Sequence, residues 1–185
     1  MLKLSHIDMK HLKVIAVLVL VFVLGAYIGN SSAAATGEIS DGVDASSKVV
    51  PVWSLTDING KVIRSTDLKG KVVILDFWAT WCGPCHEEIP GFVDLQKQFG
   101  DEGLTVVGAS VDEGGVPVVK KFVSQFGVNY SVGIASDSLQ STFGGIDALP
   151  TTFIIDRQGR LMKKHIGFTD KSEFESEIRP LLQSK

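Results

Sequence analysis

The feature that most constrains the fold is the apolar run Val72–Trp78, which is followed closely by two cysteines. The run is interrupted only by Asp76, and such a continuous run is typical of a central strand buried on both faces. A helix should start at the cysteines, because Pro84 suits a first helical turn. Apolar residues then recur at helical spacing up to Gly100, namely Ile89, Phe92, Leu95 and Phe99.

Strands and helices alternate along the rest of the domain. We predict an opening hairpin from residues 50–55 and 61–64, and further strands at 104–111, 131–135, 151–155 and 161–167. Helices are predicted at 116–126 and 138–143, with a last one that begins at a capping box formed by Asp170 and Glu173. This order of elements predicts an α/β fold with a mixed central sheet and helices on both faces.

The first 29 residues read as an export segment. Residues 14–28 carry no charge and follow Lys3, Lys10 and Lys13, a pattern that keeps the N-terminus cytoplasmic and sends the rest across the membrane. The run is shorter than the roughly 20 residues of a spanning helix. A small-residue cleavage site lies at 33–35, so a retained anchor and a cleaved signal peptide both stay open. We interpret residues 30–47 as a flexible linker and 48–185 as the folded domain.

Overall charge excludes some partners. The chain has 18 basic and 21 acidic residues, a formal net charge of −3, which argues against binding to nucleic acid. No glycine-rich nucleotide-binding motif follows a strand, so electrons would have to come from another protein. No large exposed apolar stripe is apparent, and we expect a monomer.

The two cysteines, Cys82 and Cys85, form a Cys-x-x-Cys motif at the predicted strand–helix junction. Unpaired backbone N–H groups and the helix dipole favour a thiolate there. We therefore expect Cys82 to be the nucleophile, exposed at the helix tip, and Cys85 to be shielded and to resolve the mixed disulfide. The pair would act as a redox-active disulfide that needs no other cofactor and no metal.

Three other interpretations of the motif remain open. A purely structural disulfide is disfavoured, since so small a loop contributes roughly 2 kcal/mol, against about 4.7 for a loop of a hundred residues. With His86 the motif also reads Cys-x-x-Cys-His, the attachment signature of c-type haem. Zinc could use the same three side chains, although Cys85 and His86 are adjacent and would point in different directions. We expect His86 to be partly exposed and to tune the thiolate.

The stretch Asp-Phe-Trp-Ala-Thr-Trp-Cys-Gly-Pro-Cys at 76–85 resembles the active site of thioredoxin, and Leu149-Pro150-Thr151 resembles its cis-proline loop. The N-terminal segment, the hairpin and the Cys-x-x-Cys-x-x-Glu-x-Pro pattern make the sequence more similar to the TlpA/ResA-like family of membrane-tethered thioredoxins. The resemblance runs from about Val49 to Leu182. It implies a thioredoxin fold with an N-terminal hairpin extension and a central αβ insertion.

The resemblance also implies roles for individual residues. Asp76 matches a buried acid that accepts or returns the proton of Cys85, although it could instead pair with Lys97. Glu88 matches a glutamate that lines the substrate cavity, although a helical glutamate is more often simply solvated. Pro150 would be cis and lie against the cysteines. The substrate-binding surface would comprise Trp81, Gly83, Pro84, Leu149 and Pro150.

The resemblance to this family implies an extracytoplasmic thiol:disulfide oxidoreductase that reduces exported proteins, including apocytochrome c. It implies that the electrons come from a membrane thiol donor of the CcdA/DsbD type. Asparagine is common in the family at the position of Asp76, and Gly-Pro is thioredoxin's own dipeptide, so both departures favour a reductant. The alternatives are a disulfide oxidant or isomerase, a carrier of c-type haem or metal, and a peroxiredoxin-like antioxidant. Peroxiredoxins need a threonine where this chain has Ala79.

Overall fold

The computed structural model describes residues 48–184. The predicted export segment, including residues 14–28, and the predicted linker at 30–47 lie outside the described residues. Within 48–184, no helix combines the length and the apolar character needed to cross a membrane.

Seven strands and four α-helices make up the described part. The strands are β1 (Ser54–Thr56), β2 (Val62–Arg64), β3 (Val72–Trp78), β4 (Leu104–Ser110), β5 (Ser131–Ile134), β6 (Thr151–Ile155) and β7 (Leu161–Ile166). The helices are α1 (Gly83–Phe99), α2 (Gly115–Phe126), α3 (Asp137–Thr142) and α4 (Lys171–Gln183). A short 3-10 helix, Ser65–Leu68, was not predicted.

The main sheet has the strand order β5-β4-β3-β6-β7. The central strand β3 is buried along its whole length and runs parallel to β4 and antiparallel to β6. Strands β1 and β2 form a separate antiparallel hairpin. The prediction of a mixed sheet with an N-terminal hairpin is confirmed.

The two faces of β3 support two apolar layers, because alternate side chains of a strand point to opposite faces. One layer contains Val73, Leu75 and Phe77, which pack with Trp53 just before β1 and with Leu139 of α3. On the other face, the buried cluster beneath α1 and α4 is formed by residues that include Val72, Ile74, Phe92 and Phe174. The fold is the predicted α/β thioredoxin fold, and between β4 and β6 the chain forms α2, β5 and α3.

The hairpin strands are shorter than predicted. Val50 donates its backbone N–H to the carbonyl of Gly159 at 2.9 Å, and Val49 forms a β-bridge with Arg160. Before β1 begins, the chain is therefore bonded to the turn that joins β6 and β7. Pro51 has no N–H with which to extend the ladder.

The predicted capping box at the start of α4 is also wrong in detail. Asp170 does cap the helix, but its side chain accepts from the backbone N–H of Ser172 at 2.8 Å. The N–H of Glu173 bonds to the carbonyl of Asp170 instead, at 3.0 Å. The cap therefore closes one residue earlier than the predicted spacing.

Candidate active site

The cysteine pair occupies the first turn of α1, directly after β3. Cys82 is the N-cap residue, and its Sγ accepts a hydrogen bond from the backbone N–H of Cys85 at 3.3 Å. Pro84 lies in the first turn, where its missing N–H costs no helical hydrogen bond. The sulfurs form a disulfide of 2.07 Å with 5.3 Å between the Cα atoms. The pair is thus held at bonding distance where helix N–H groups face the nucleophile.

Cys82 is not exposed at the helix tip, contrary to our expectation. It is 5% exposed, against 1% for Cys85. Both belong to an apolar cluster with Ala79 and Ile89, and Leu149 packs against it from the proline loop. Burial of Cys82 comes both from chain neighbours and from distant residues, and Cys82 is still the more exposed of the two cysteines, as expected.

Residues expected to bind substrate surround this buried disulfide. Trp81 is 70% exposed, Pro84 is exposed, and a Cβ added at Gly83 would meet no atom within 4 Å. The Leu149–Pro150 bond is cis. Trp81, Gly83 and Pro84 therefore form an open surface beside Cys82, whereas Leu149 is half-buried and Pro150 is buried.

The proline loop is joined to the segment after β7. The carbonyl of Pro150 accepts the N–H of Gly167 at 2.8 Å. Two apolar side chains next to Gly167, those of Ile166 and Phe168, are 64% and 49% exposed. Ile166 ends β7, which pairs with β6, and Phe168 follows it.

Asp76 lies in the middle of β3 and is 1% exposed. Its Oδ1 accepts a hydrogen bond from the Thr152 hydroxyl on the neighbouring strand at 3.2 Å, so its partner is a threonine and not Lys97. Burial raises the pKa of Asp76 well above its usual value, and the nearby charge of Glu88 raises it further. Burial therefore favours the protonated form of this carboxyl group.

Glu88 follows Cys85 by one helical turn on the buried side of α1 and is 4% exposed, so it is not simply solvated. Its Oε1 accepts the backbone N–H of Thr169 at 2.9 Å, while Oε2 is buried without a hydrogen-bond partner. Burial raises the pKa of Glu88 to about 7, and the Thr169 bond opposes this shift. Two buried acids therefore lie close to the cysteines in the chain, Glu88 on the buried side of α1 and Asp76 in β3.

His86 is half-buried beside the motif. Its Nε2 donates to the carbonyl of Thr80 at 2.8 Å, and its ring lies 4.9 Å from that of Phe122 and 5.3 Å from that of Phe126. Among residues 48–184 no cluster of three His, Cys, Asp or Glu side chains could hold a metal ion. The structure describes the oxidised state, in which the sulfurs of Cys82 and Cys85 are bonded to each other.

Known proteins resemble this chain in sequence and in fold. Residues 47–164 match the AhpC/TSA family. The thiol-disulfide oxidoreductase ResA of Bacillus subtilis is 38% identical over 155 residues, which cover 84% of this chain and 83% of ResA. The ResA of Bacillus anthracis is 37% identical over 136 residues, covering 72% of this chain and 77% of that protein.

A solved structure is similar as well. The thiol:disulfide interchange protein of the thioredoxin family from Chlorobium tepidum has a TM-score of 0.70 and 37% identity, covering 75% of this chain and 99% of that one. Together with the buried disulfide at the start of α1, these similarities establish the reaction class. The chain belongs to the AhpC/TSA family and, within it, to the ResA-like thiol-disulfide oxidoreductases, enzymes of protein-disulfide exchange.

Proposed function

We propose that the protein acts as a reductant of disulfides in exported proteins. The observation that carries the proposal is the pair of buried acids, Asp76 in β3 and Glu88 in α1. A negative charge in a buried site disfavours a second negative charge nearby. Glu88, with a pKa of about 7, is partly ionised at neutral pH, and its charge would disfavour thiolates at the cysteines and so favour the disulfide, which makes the dithiol a stronger reductant.

The exchange proceeds in two steps. The Cys82 thiolate attacks a sulfur of the substrate disulfide, a mixed disulfide forms, and one substrate sulfur leaves as a thiolate that takes a proton from water. Cys85 then gives up its proton to the ionised form of Asp76 and attacks the Cys82 sulfur, and the second substrate sulfur leaves and takes that proton from Asp76. The protein ends with the Cys82–Cys85 disulfide, and the substrate has gained two electrons and two protons.

A thiol donor must reduce the disulfide for the next cycle. No nucleotide motif is present in the sequence, so we assign this role to a membrane protein of the CcdA/DsbD type. Residues 14–28 would place the domain on the extracytoplasmic side of a bacterial membrane, as an anchor or as a signal peptide. Nothing in the proposal requires a cofactor beyond the disulfide, and one copy of the chain suffices.

Apocytochrome c is the substrate we propose first, because its haem-binding cysteines must be reduced before haem is attached. The test is to delete the gene and measure c-type cytochromes by haem staining of membranes. We expect their loss, and recovery with the wild-type gene but not with Cys82→Ser. An added thiol reductant should also restore them. Normal cytochrome levels in the deletion strain would instead favour general repair of exported disulfides.

A further inference from the structure

Thr80 lies in the turn between β3 and α1, two residues before Cys82, and all three of its polar groups are bonded. Its backbone N–H donates to Asp112 Oδ2 at 2.9 Å, and its hydroxyl donates to Asp112 Oδ1 at 2.6 Å. Its carbonyl accepts from His86 Nε2 at 2.8 Å. Two hydrogen bonds with Asp112 and one with His86 therefore hold Thr80 in place.

Asp112 follows the carboxyl end of β4, next to β3 in the sheet, and is 5% exposed. Its Oδ2 also accepts the hydroxyl of Ser110 at 2.7 Å, and its own N–H donates to Ser110 Oγ at 3.0 Å. These two bonds with Ser110 therefore fix the orientation of the carboxylate that contacts Thr80. Neither Thr80 nor Asp112 is expected to touch the substrate or either sulfur.

The turn held in this way is short. Cys82 donates its N–H to the carbonyl of Ala79 at 3.1 Å, so Thr80 and Trp81 are the two central residues of the turn. Fixing Thr80 fixes the plane of the peptide that leads to Trp81 and Cys82. Cys85 is held separately, because it lies inside α1 one residue after Pro84.

We propose that Asp112 and Thr80 are positioning residues that stabilise the Cys82–Cys85 disulfide by holding the Cys82 turn in its bonding geometry. Two thiols held together form a disulfide more readily, because their effective concentration is high. If the turn is loosened, this concentration falls and the dithiol becomes more favoured. The pair would then be easier to reduce. The inference rests on the exchange activity alone, and not on the direction or the substrate proposed above.

The test is the equilibrium of the full-length protein with glutathione, measured from the fractions of dithiol and disulfide after alkylation. Thr80→Val removes the hydroxyl without changing any charge and nearly preserves the shape of the side chain. Asp112→Asn removes one of the two acceptors. Thr80→Ser keeps the hydroxyl. Asp57→Asn is the matched control, because Asp57 is a buried aspartate that accepts two backbone N–H groups in the β1–β2 turn.

We expect Thr80→Val and Asp112→Asn each to shift the equilibrium about tenfold towards the dithiol, which equals about 30 mV for a two-electron couple. Thr80→Ser and Asp57→Asn should stay at the wild-type value. Wild-type equilibria in both Thr80→Val and Asp112→Asn would overturn the proposal, and so would an equal shift in Thr80→Ser. If Asp112→Asn does not fold, Thr80→Val against Thr80→Ser decides.

Discussion

Glu88 and Thr169 join helix α1 to the segment that precedes α4: the backbone N–H of Thr169 donates to Glu88 Oε1 at 2.9 Å, and both residues are buried. The other carboxylate oxygen has no hydrogen-bond partner. A single hydrogen bond does not compensate for burial of a charge, so the carboxyl group favours its protonated form.

This arrangement predicts how stability depends on pH. The pKa of Glu88 is raised from 4.5 to about 7, so its contribution to stability is fully present below pH 4.5 and is lost as pH rises towards 7. Glu88→Gln mimics the protonated acid at every pH. We expect the variant to become more stable than the wild type, by at most about 3 kcal/mol above pH 7, in urea unfolding of the oxidised proteins. Stability profiles that stay parallel from pH 4 to 8 would contradict this.

Asp76 should act on the second chemical step. Burial makes the ionised form of Asp76 a stronger base towards the proton of Cys85, and general base catalysis contributes roughly 100-fold or more. Asp76→Asn should therefore slow release of the mixed disulfide at neutral pH without slowing its formation, and mass spectrometry of quenched reactions should show the mixed disulfide accumulating. Thr152→Val, which keeps the acid and removes its hydrogen bond, should retain most of the rate. Equal release rates in wild type and Asp76→Asn would exclude the role.

Trp81 offers an exposed indole beside the disulfide and should bind protein substrates. We expect Trp81→Ala to raise KM for a protein disulfide about tenfold, a loss of about 1.4 kcal/mol of binding. The rate with a small disulfide such as oxidised glutathione should change little. Val52→Ala is a matched control, because Val52 is 74% exposed but lies just before β1 and is not part of the expected substrate surface. An unchanged KM in Trp81→Ala would remove this residue from the substrate surface.

Peroxide reduction can be separated from disulfide exchange by the residue at position 79. Ala79 is fully buried and has no hydroxyl to orient a peroxide. Loss of one well-aimed donor slows a reaction roughly 100-fold or more. We therefore expect the reduced protein to consume hydrogen peroxide at least about 100-fold more slowly than it reduces a protein disulfide. Comparable rates in a stopped-flow assay would establish a peroxidase.

The sequence was sufficient for the parts of the fold with a strong local signal. The run Val72–Trp78 and strand β6 at Thr151–Ile155 have the predicted bounds, because a buried apolar run between turn residues specifies a strand by itself. The junction of β3 and α1 was equally readable, since Pro84 and the apolar spacing after it define a helix start.

Contacts between distant segments were not predictable from one sequence. Asp112 and Thr80 are 32 residues apart, and Glu88 and Thr169 are 81 apart, so each bond depends on sheet register and helix packing. The same reason explains the burial of Cys82, to which Leu149 contributes from another loop. Asp112 did carry one signal, because it follows a buried strand beside the strand that leads to the cysteines, and functional groups gather at such strand ends.

The reduction potential of the Cys82–Cys85 pair tests the central claim most directly. The full-length protein would be equilibrated in glutathione or dithiothreitol redox buffers, and the dithiol and disulfide forms counted after alkylation. The account predicts a value close to that of thioredoxin, about −270 mV. A value of about −180 mV or higher, as in disulfide isomerases and oxidants, would contradict a reductant and assign the enzyme to disulfide formation or isomerisation.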